Sequence, residues 1–285
     1  MILLTGATGK TGSATAIELS NLKVPFRALI RSEEKRDEIE ALGGEGIIGS
    51  AENRETSDQA MMGIEKLLII LPNCENQLEM EMQLVDSAKA EGVKQIVYMS
   101  SVEADEECTS PIPKLHWDTE VYIKDSGLQW TMIKPNFYMQ NFIGSAKTIV
   151  EQNKFFLPMS EGKTGMIDTR DVGKVIAKVL SEEGHEGQSY QITGPEILSF
   201  YDVAEKFSSV LKREVLYIDM PIDAYKNILS QFLTNQWHLD SVIDLFGGIA
   251  EGGIEYKTDT FEDLIGTPPR SLEDFIEEHR SLYTA

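Results

Sequence analysis

The chain opens on four apolar residues, Met1-Ile2-Leu3-Leu4, that break directly into Thr5-Gly6-Ala7-Thr8-Gly9-Lys10-Thr11-Gly12. A buried strand that turns through glycines into a helix is the opening of a dinucleotide-binding βαβ unit. Each glycine has its own reason. Gly6 permits the sharp turn out of the strand, Gly9 presents bare backbone to a pyrophosphate, and Gly12 lets a helix starting near Lys10 lie close on the sheet. The free N–H groups of that first turn, around Lys10, Thr11 and Gly12, then face the phosphates, with Thr8 in the same turn. A second strand, Phe26 to Ile30, follows at the spacing such a unit needs.

Apolar runs at 1–4, 25–30, 46–48, 66–71, 94–99 and 129–134 alternate with charged, periodic segments near 10–21, 33–42, 54–62, 77–91 and 114–126. Short apolar strands separated by amphipathic helices predict an α/β fold, a doubly wound parallel sheet of the Rossmann type. Beyond residue 155 the texture changes. A turn at 161–165, a helix at 169–182 and a strand at 188–193 lead into helices at 199–211, 221–234, 236–250 and 271–282, interrupted by a strand at 214–219. We expect a dinucleotide-binding domain over 1–155, to which 165–195 returns, and a smaller, mainly helical C-terminal lobe over 196–285 that covers the substrate. Phe232, Trp237, Leu239 and Phe246 are expected in the core of that lobe.

The formal charge of −21 argues against nucleic acid, which needs a basic face, and disfavours anionic membranes. No apolar stretch approaches the roughly 20 residues that span a bilayer. The first strand is expected at the very start of the sequence, so no signal peptide is expected. Two cysteines, Cys74 and Cys108, make no disulfide framework, so a cytoplasmic location is expected. No His, Cys and carboxylate cluster has metal-ligand spacing, so no metal is expected, and His185 in a charged turn is read as solvated.

In a parallel sheet the ligand lies beyond the carboxyl ends of the strands, so the residues just after each strand are the candidates. The second strand ends at Arg31, where an acidic residue would bond a ribose 2′-hydroxyl and an arginine suits a 2′-phosphate. Lys35 is near enough to assist. The cofactor is therefore NADP(H), with NAD(H) as the second choice. Leu71-Pro72-Asn73 after the fourth strand shapes the floor near the cofactor. Ser100 and Ser101 after the fifth place hydroxyls where nicotinamide or substrate would lie. Pro135, Asn136 and Phe137 after the sixth are cofactor contacts, with Tyr138 and Ser101 on the substrate side. Ser100 and Asn136 either touch a ligand or only form their turns.

On these residues the chain resembles the atypical short-chain dehydrogenase/reductases, in their NmrA-like branch. The likeness is carried by the glycine turn, Arg31, Leu71 to Asn73, His116 to Glu120, Lys134 to Phe137, Ile167 to Val172 and Gly266 to Arg270. It is similar to the triphenylmethane reductases and NADPH:quinone oxidoreductases of that branch, which implies an NAD(P)H-dependent reductase. The branch also implies an alternative, an NADP-binding redox sensor that does no chemistry and acts on a protein partner. One departure matters. Ordinary superfamily members carry Tyr-x-x-x-Lys on the helix after the fifth strand, where the tyrosine protonates the substrate oxygen. Here the helix reads His116-Trp117-Asp118-Thr119-Glu120-Val121-Tyr122-Ile123-Lys124, and His116 and Glu120, four apart on one face, are the best match. A second departure is Gly49-Ser50 after the third strand, where relatives often carry Gly-Asp near the adenine.

Reducing a simple ketone creates an alkoxide that needs a proton as it forms. A quinone spreads the incoming charge, and a conjugated iminium or cationic dye is neutralised by hydride. The missing tyrosine therefore favours a small, hydrophobic, conjugated acceptor. His116 remains the candidate acid, expected to change charge near neutral pH.

Overall fold

The apolar runs become strands because both their faces are covered. In a computed structural model that describes residues 1–284, all three residues of β1 (Ile2–Leu4) are buried. The chain continues through α1 (Lys10–Asn21), β2 (Phe26–Ile30), α2 (Arg36–Ala41), β3 (Glu45–Ile48), α3 (Arg54–Met61), β4 (Lys66–Ile69), α4 (Gln77–Ala90), β5 (Gln95–Met99), α5 (Pro111–Asp125) and β6 (Gln129–Pro135). There follow α6 (Ala146–Gln152), β7 (Lys154–Leu157), β8 (Lys163–Thr164), α7 (Thr169–Ser181), β9 (Gln188–Ile192), β10 (Leu198–Ser199), α8 (Phe200–Leu211), β11 (Leu216–Asp219) and α9 (Ile222–Leu229). The last elements are α10 (Gln236–Ala250), α11 (Thr260–Ile265), α12 (Leu272–Glu278) and α13 (Arg280–Tyr283). Seven strands form one sheet in the order β3-β2-β1-β4-β5-β6-β9, and the first six are paired in parallel. This is the doubly wound α/β fold. Its strand order reverses at β1 and β4, and there a crevice opens past the carboxyl ends.

The chain divides into two compact units. The first holds residues 1–108, 113–134 and 169–191. In it, Leu84 and Val85 of α4 meet Leu67, Ile69, Ile96 and Tyr98 of the sheet in one apolar cluster. On another side α1 packs along α7, at a distance only small residues allow: a Cβ on Gly173 would lie 2.7 Å from the Ala14 Cβ and 2.8 Å from the Thr15 nitrogen. The second unit holds 109–112, 135–168 and 192 onward, and its core is aromatic. Phe142 contacts Phe155, Phe200 and Phe207 with ring centroids 5.6, 6.2 and 5.9 Å apart. A short parallel ladder joins β7 and β11 in the same unit.

Several expectations need correction. Residues 135–155, expected in the first domain, group with the second unit. A 3-10 stretch at Met139–Ser145, α6, β7 and α11 were not anticipated. The helix expected over 221–234 ends at Leu229, and Phe232 beyond it is 76% exposed rather than core. Leu239 is buried, while Trp237 and Phe246 are half-buried. His185 is buried rather than solvated, its Nδ1 lying 2.9 Å from the Tyr190 hydroxyl. Ala285, the end of the expected lobe, lies outside the described residues. No described helix is long and apolar enough to cross a membrane.

The α1–α7 contact makes a test. Gly173→Ala adds a methyl where backbone and Cβ atoms already close the space, and overpacking of this kind costs about 1–3 kcal/mol. The urea midpoint should fall accordingly. An unchanged midpoint would mean that the two helices separate without cost.

Candidate functional site

At the crevice, Thr5 ties β1 to β4. Its hydroxyl accepts from the Ile70 nitrogen at 2.9 Å and lies within 3.2 Å of the Leu68 and Ile70 carbonyls. The next residue, Gly6, has φ +66°, and a Cβ there would fall 2.5 Å from the Ile70 oxygen. Helix α1 begins at Lys10, as the glycine spacing predicts. A Cβ on Gly12 would sit 2.0 Å from the Gly6 oxygen, so backbone rests on backbone here. Gly9 caps the helix in an extended conformation with no side-chain cap. The donors of the first turn are therefore left for a ligand or for water.

A cavity of about 540 Å³ opens at this point. Gly6, Thr8 and Gly9 line it, with Arg31 beyond β2 and Leu71 and Pro72 beyond β4. Gly49 and Ser50, where the sequence departs from its relatives, line it beyond β3. Arg31 is exposed and has no hydrogen-bond or ion-pair partner among the described residues. Lys10 is exposed at the helix start, whereas Thr11 and Gly12 are buried beneath the turn. Of the expected contacts, Lys10, Thr11, Gly12, Lys35, Asn73, Ser100, Pro135, Asn136 and Phe137 are not in the lining. Lys35 is captured by Glu38 at 2.6 Å, one turn further along its own segment. Asn73 is bypassed, while Cys74, Asn76 and Met80, which sequence reasoning missed, are at the wall.

Behind the end of β5 the same unit buries two carboxylates. Ser100 Oγ donates to Glu120 at 2.6 Å, and Glu120 pairs with Lys134 Nζ at 2.8 Å and Lys124 Nζ at 3.1 Å. Lys134 also donates to the Ala104 carbonyl at 2.7 Å. Ser101 bonds Glu103 two residues on. One turn before Glu120, His116 Nδ1 lies 2.7 Å from the Tyr98 hydroxyl, which is also 3.0 Å from Glu81 Oε2. Glu81 accepts from Thr119 at 2.6 Å and from Gln77 at 2.9 Å. Among the described residues no cation bonds it, and burial pushes its carboxyl up to about 7 against the pull of those donors. Burial, helped by the Lys134 charge, pushes His116 down to about 4. Its imidazole is therefore neutral at pH 7, which corrects the expected charge change near neutrality. A signal for this cluster was present: Gln77 and Glu81 sit on the buried stripe of α4 that continues through Leu84, Val85 and Ala88.

The remaining candidates belong to the second unit. Pro135 ends β6. The Asn136 side chain donates to the Ile254 carbonyl at 3.2 Å and accepts from the Phe137 nitrogen at 2.7 Å. Phe137 is buried edge-on against Phe200, with ring centroids 5.6 Å apart. Tyr138 bridges Ile167.

Residues 1–276 match the profile of the NmrA-like family. The chain belongs to this family. It is 30% identical over 285 residues to the NAD(P)H azoreductase of Xenophilus azovorans, covering all of both chains. The NADPH-dependent quinone oxidoreductase QOR2 of Escherichia coli, solved in complex with NADPH, superimposes with a TM-score of 0.89 at 26% identity, covering 98% of this chain and all of that one. The triphenylmethane reductase of Citrobacter sp., complexed with NADP(H), gives 0.88 at 25% identity over 98% and 99% of the two chains.

The buried histidine predicts a pH effect on stability. An unfolded histidine titrates near 6.5 and this one near 4, so between those values the unfolded chain binds the extra proton. His116 thus contributes stability above pH 6.5 that is lost as pH falls toward 4. Replacing it with Gln removes that loss. Relative to wild type, His116→Gln should gain stability on acidification through this window, by at most ~1.4 kcal/mol per pH unit. Parallel stability curves from chemical denaturation would refute it.

Proposed function

We propose that the protein is an NAD(P)H-dependent oxidoreductase, NADPH preferred, that reduces a small, flat, conjugated acceptor: a quinone, imine, cationic dye or azo compound. The observation that carries this reading is Arg31. In a chain of formal charge −21 an arginine without a partner lines a glycine-walled cavity at the sheet's switch point. An anion is its natural complement, and its planar fork fits a 2′-phosphate in two places. The uncapped start of α1 receives the pyrophosphate, Ser50 stands on the adenosine side, and Leu71 and Pro72 floor the path toward the nicotinamide. When bound, the reduced nicotinamide supplies a hydride and its two electrons. The chain's own part is to hold acceptor and ring in register and to exclude water.

The acceptor class follows from what α5 lacks. Its tyrosine position is taken by a buried, neutral histidine, so an acceptor that tolerates incoming charge is favoured. Azo compounds, quinones and triphenylmethane dyes, the acceptors in the relatives' names, share that property. Two free cysteines support a reducing compartment such as the cytoplasm.

Arg31→Ala should weaken NADPH about tenfold or more, the equivalent of a lost charged contact, and leave NADH nearly unchanged. Cofactor fluorescence titration measures both. Equal losses for the two cofactors would remove Arg31 from the 2′-phosphate. The unaltered protein should oxidise NADPH in the presence of a quinone or cationic dye. Tight NADPH binding with no turnover of any such acceptor would instead favour the sensor reading.

A further inference from the structure

Tyr98 has one hydroxyl hydrogen and lies 3.0 Å from Glu81 and 2.7 Å from His116; the nearby Thr119 hydroxyl spends its own hydrogen on Glu81 at 2.6 Å. Either Glu81 or His116 must therefore donate to Tyr98. This leaves two arrangements. With Glu81 ionised, Tyr98 donates to Glu81 and accepts from His116 Nδ1–H, so Nε2 carries a lone pair. With Glu81 protonated, Glu81 donates to Tyr98, Tyr98 donates to Nδ1, and the imidazole proton stands on Nε2. The two arrangements differ by one proton. It enters or leaves at either end of the chain, and the imidazole stays neutral in both.

We propose that Glu81, Tyr98 and His116 form a proton relay, through which a histidine that never becomes charged protonates the reduced acceptor and Glu81 supplies the proton. The inference rests on the reductase reading. The step balances. The His116 Nε2–H bond breaks as an O–H or N–H bond forms on the acceptor, whose two electrons arrive with the hydride of the reduced nicotinamide. Nδ1 takes the Tyr98 proton, and Tyr98 recovers one from Glu81. The charge ends on the Glu81 carboxylate, where Thr119 and Gln77 already donate. A lone imidazole would have to become imidazolate. The relay avoids that.

Placement and burial support it. Glu81 and Tyr98 have no exposed surface, while His116 retains 7%, so the histidine is the outlet. Glu81 follows directly on Met80, which lines the dinucleotide cavity, and Tyr98 lies near the carboxyl end of β5. The charged and titratable neighbours are Lys134 of β6, which opposes charge on His116, Glu120 of α5, which opposes ionisation of Tyr98, and Cys74 after β4, which feels Glu81. Both near charges thus favour neutral Tyr98 and neutral His116. Glu81 titrates at about 7 and is the member that changes charge.

The first test needs no turnover. In ¹⁵N spectra of the full chain the His116 proton should stand on Nε2 at low pH and move to Nδ1 as pH rises through about 7. Glu81→Gln and Tyr98→Phe should each abolish the move. Glu81→Gln should also slow reduction of a quinone roughly a hundredfold with unchanged NADPH affinity. It should spare reduction of a carbocationic dye, whose product is complete on receiving hydride. A tautomer indifferent to pH, a shift that survives Glu81→Gln, or equal slowing of both acceptors overturns the relay. A fixed tautomer with active hydride transfer overturns the relay alone. A moving tautomer without hydride transfer to any acceptor overturns the reductase reading and proton delivery with it.

Discussion

The carboxyl edge of the sheet depends on one backbone contact, the first turn of α1 resting on the turn that leaves β1. A side chain at Gly12 would put carbon 2.0 Å from the Gly6 oxygen, so the contact exists only while that position has no Cβ. Gly6 is held in turn by its left-handed φ and by the Ile70 carbonyl, and Thr5 locks the same stretch of β4. Further along α1, Gly173 of α7 meets Ala14 and Thr15. The helix is therefore gripped at its start and along its flank. Its uncapped donors and the positive end of its dipole are aimed at one place by covalent and steric limits rather than by a flexible side chain. Arg31 then adds a full positive charge to the same cavity wall.

Much of this was legible because each element carries its own signal. The bounds of α1, 10–21, coincide with the expected segment, since a glycine turn starts it and polar residues end it. The strands of the sheet are short apolar runs between turns, a pattern that few other arrangements satisfy. The stretch from Met139 to Leu157 had no single period to read. A 3-10 segment, a two-turn helix and a four-residue strand follow one another there, and Met139, Phe142, Ile149 and Phe155 are buried from all three. Phe232 misled for the opposite reason, because an aromatic residue beyond a helix end carries no sign of its exposure. His185 lies in an acidic turn but is covered through its partner Tyr190 and through Thr131, which donates to its carbonyl.

The site divides in the same way. Residues placed by a strand end, such as Arg31, Leu71 and Pro72, were predictable from position alone. Lys35 was not, because a carboxylate three residues away competes for it. His116 and Glu120 share a helical face in sequence, yet they engage different partners. Glu120 meets two ammonium groups, and His116 meets a phenol that leads on to Glu81. Lys134, Tyr98 and Glu81 come from β6, β5 and α4, so on α5 itself only Lys124, one turn beyond Glu120, could have hinted at the difference.

The contrast between the two buried carboxylates bears on the missing tyrosine. Glu120 has its charge matched by lysines, the usual condition for keeping a carboxylate inside a protein. Glu81 has only neutral donors, from Thr119, Gln77 and Tyr98, on an otherwise mostly apolar buried stripe of α4. A carboxylate buried without a matching cation is expensive to keep, and groups of this kind cluster at functional sites. In ordinary members of the superfamily a nearby lysine cation helps the tyrosine to release its proton. Tyr98 stands in the opposite field, with burial and two carboxylates holding it well above the usual phenol value. It cannot ionise at working pH, but a neutral phenol can still take one proton as it gives another. In the proposed relay, a phenol on β5 rather than a tyrosine on α5 stands near the sheet's functional edge, and it passes a proton on without carrying charge itself.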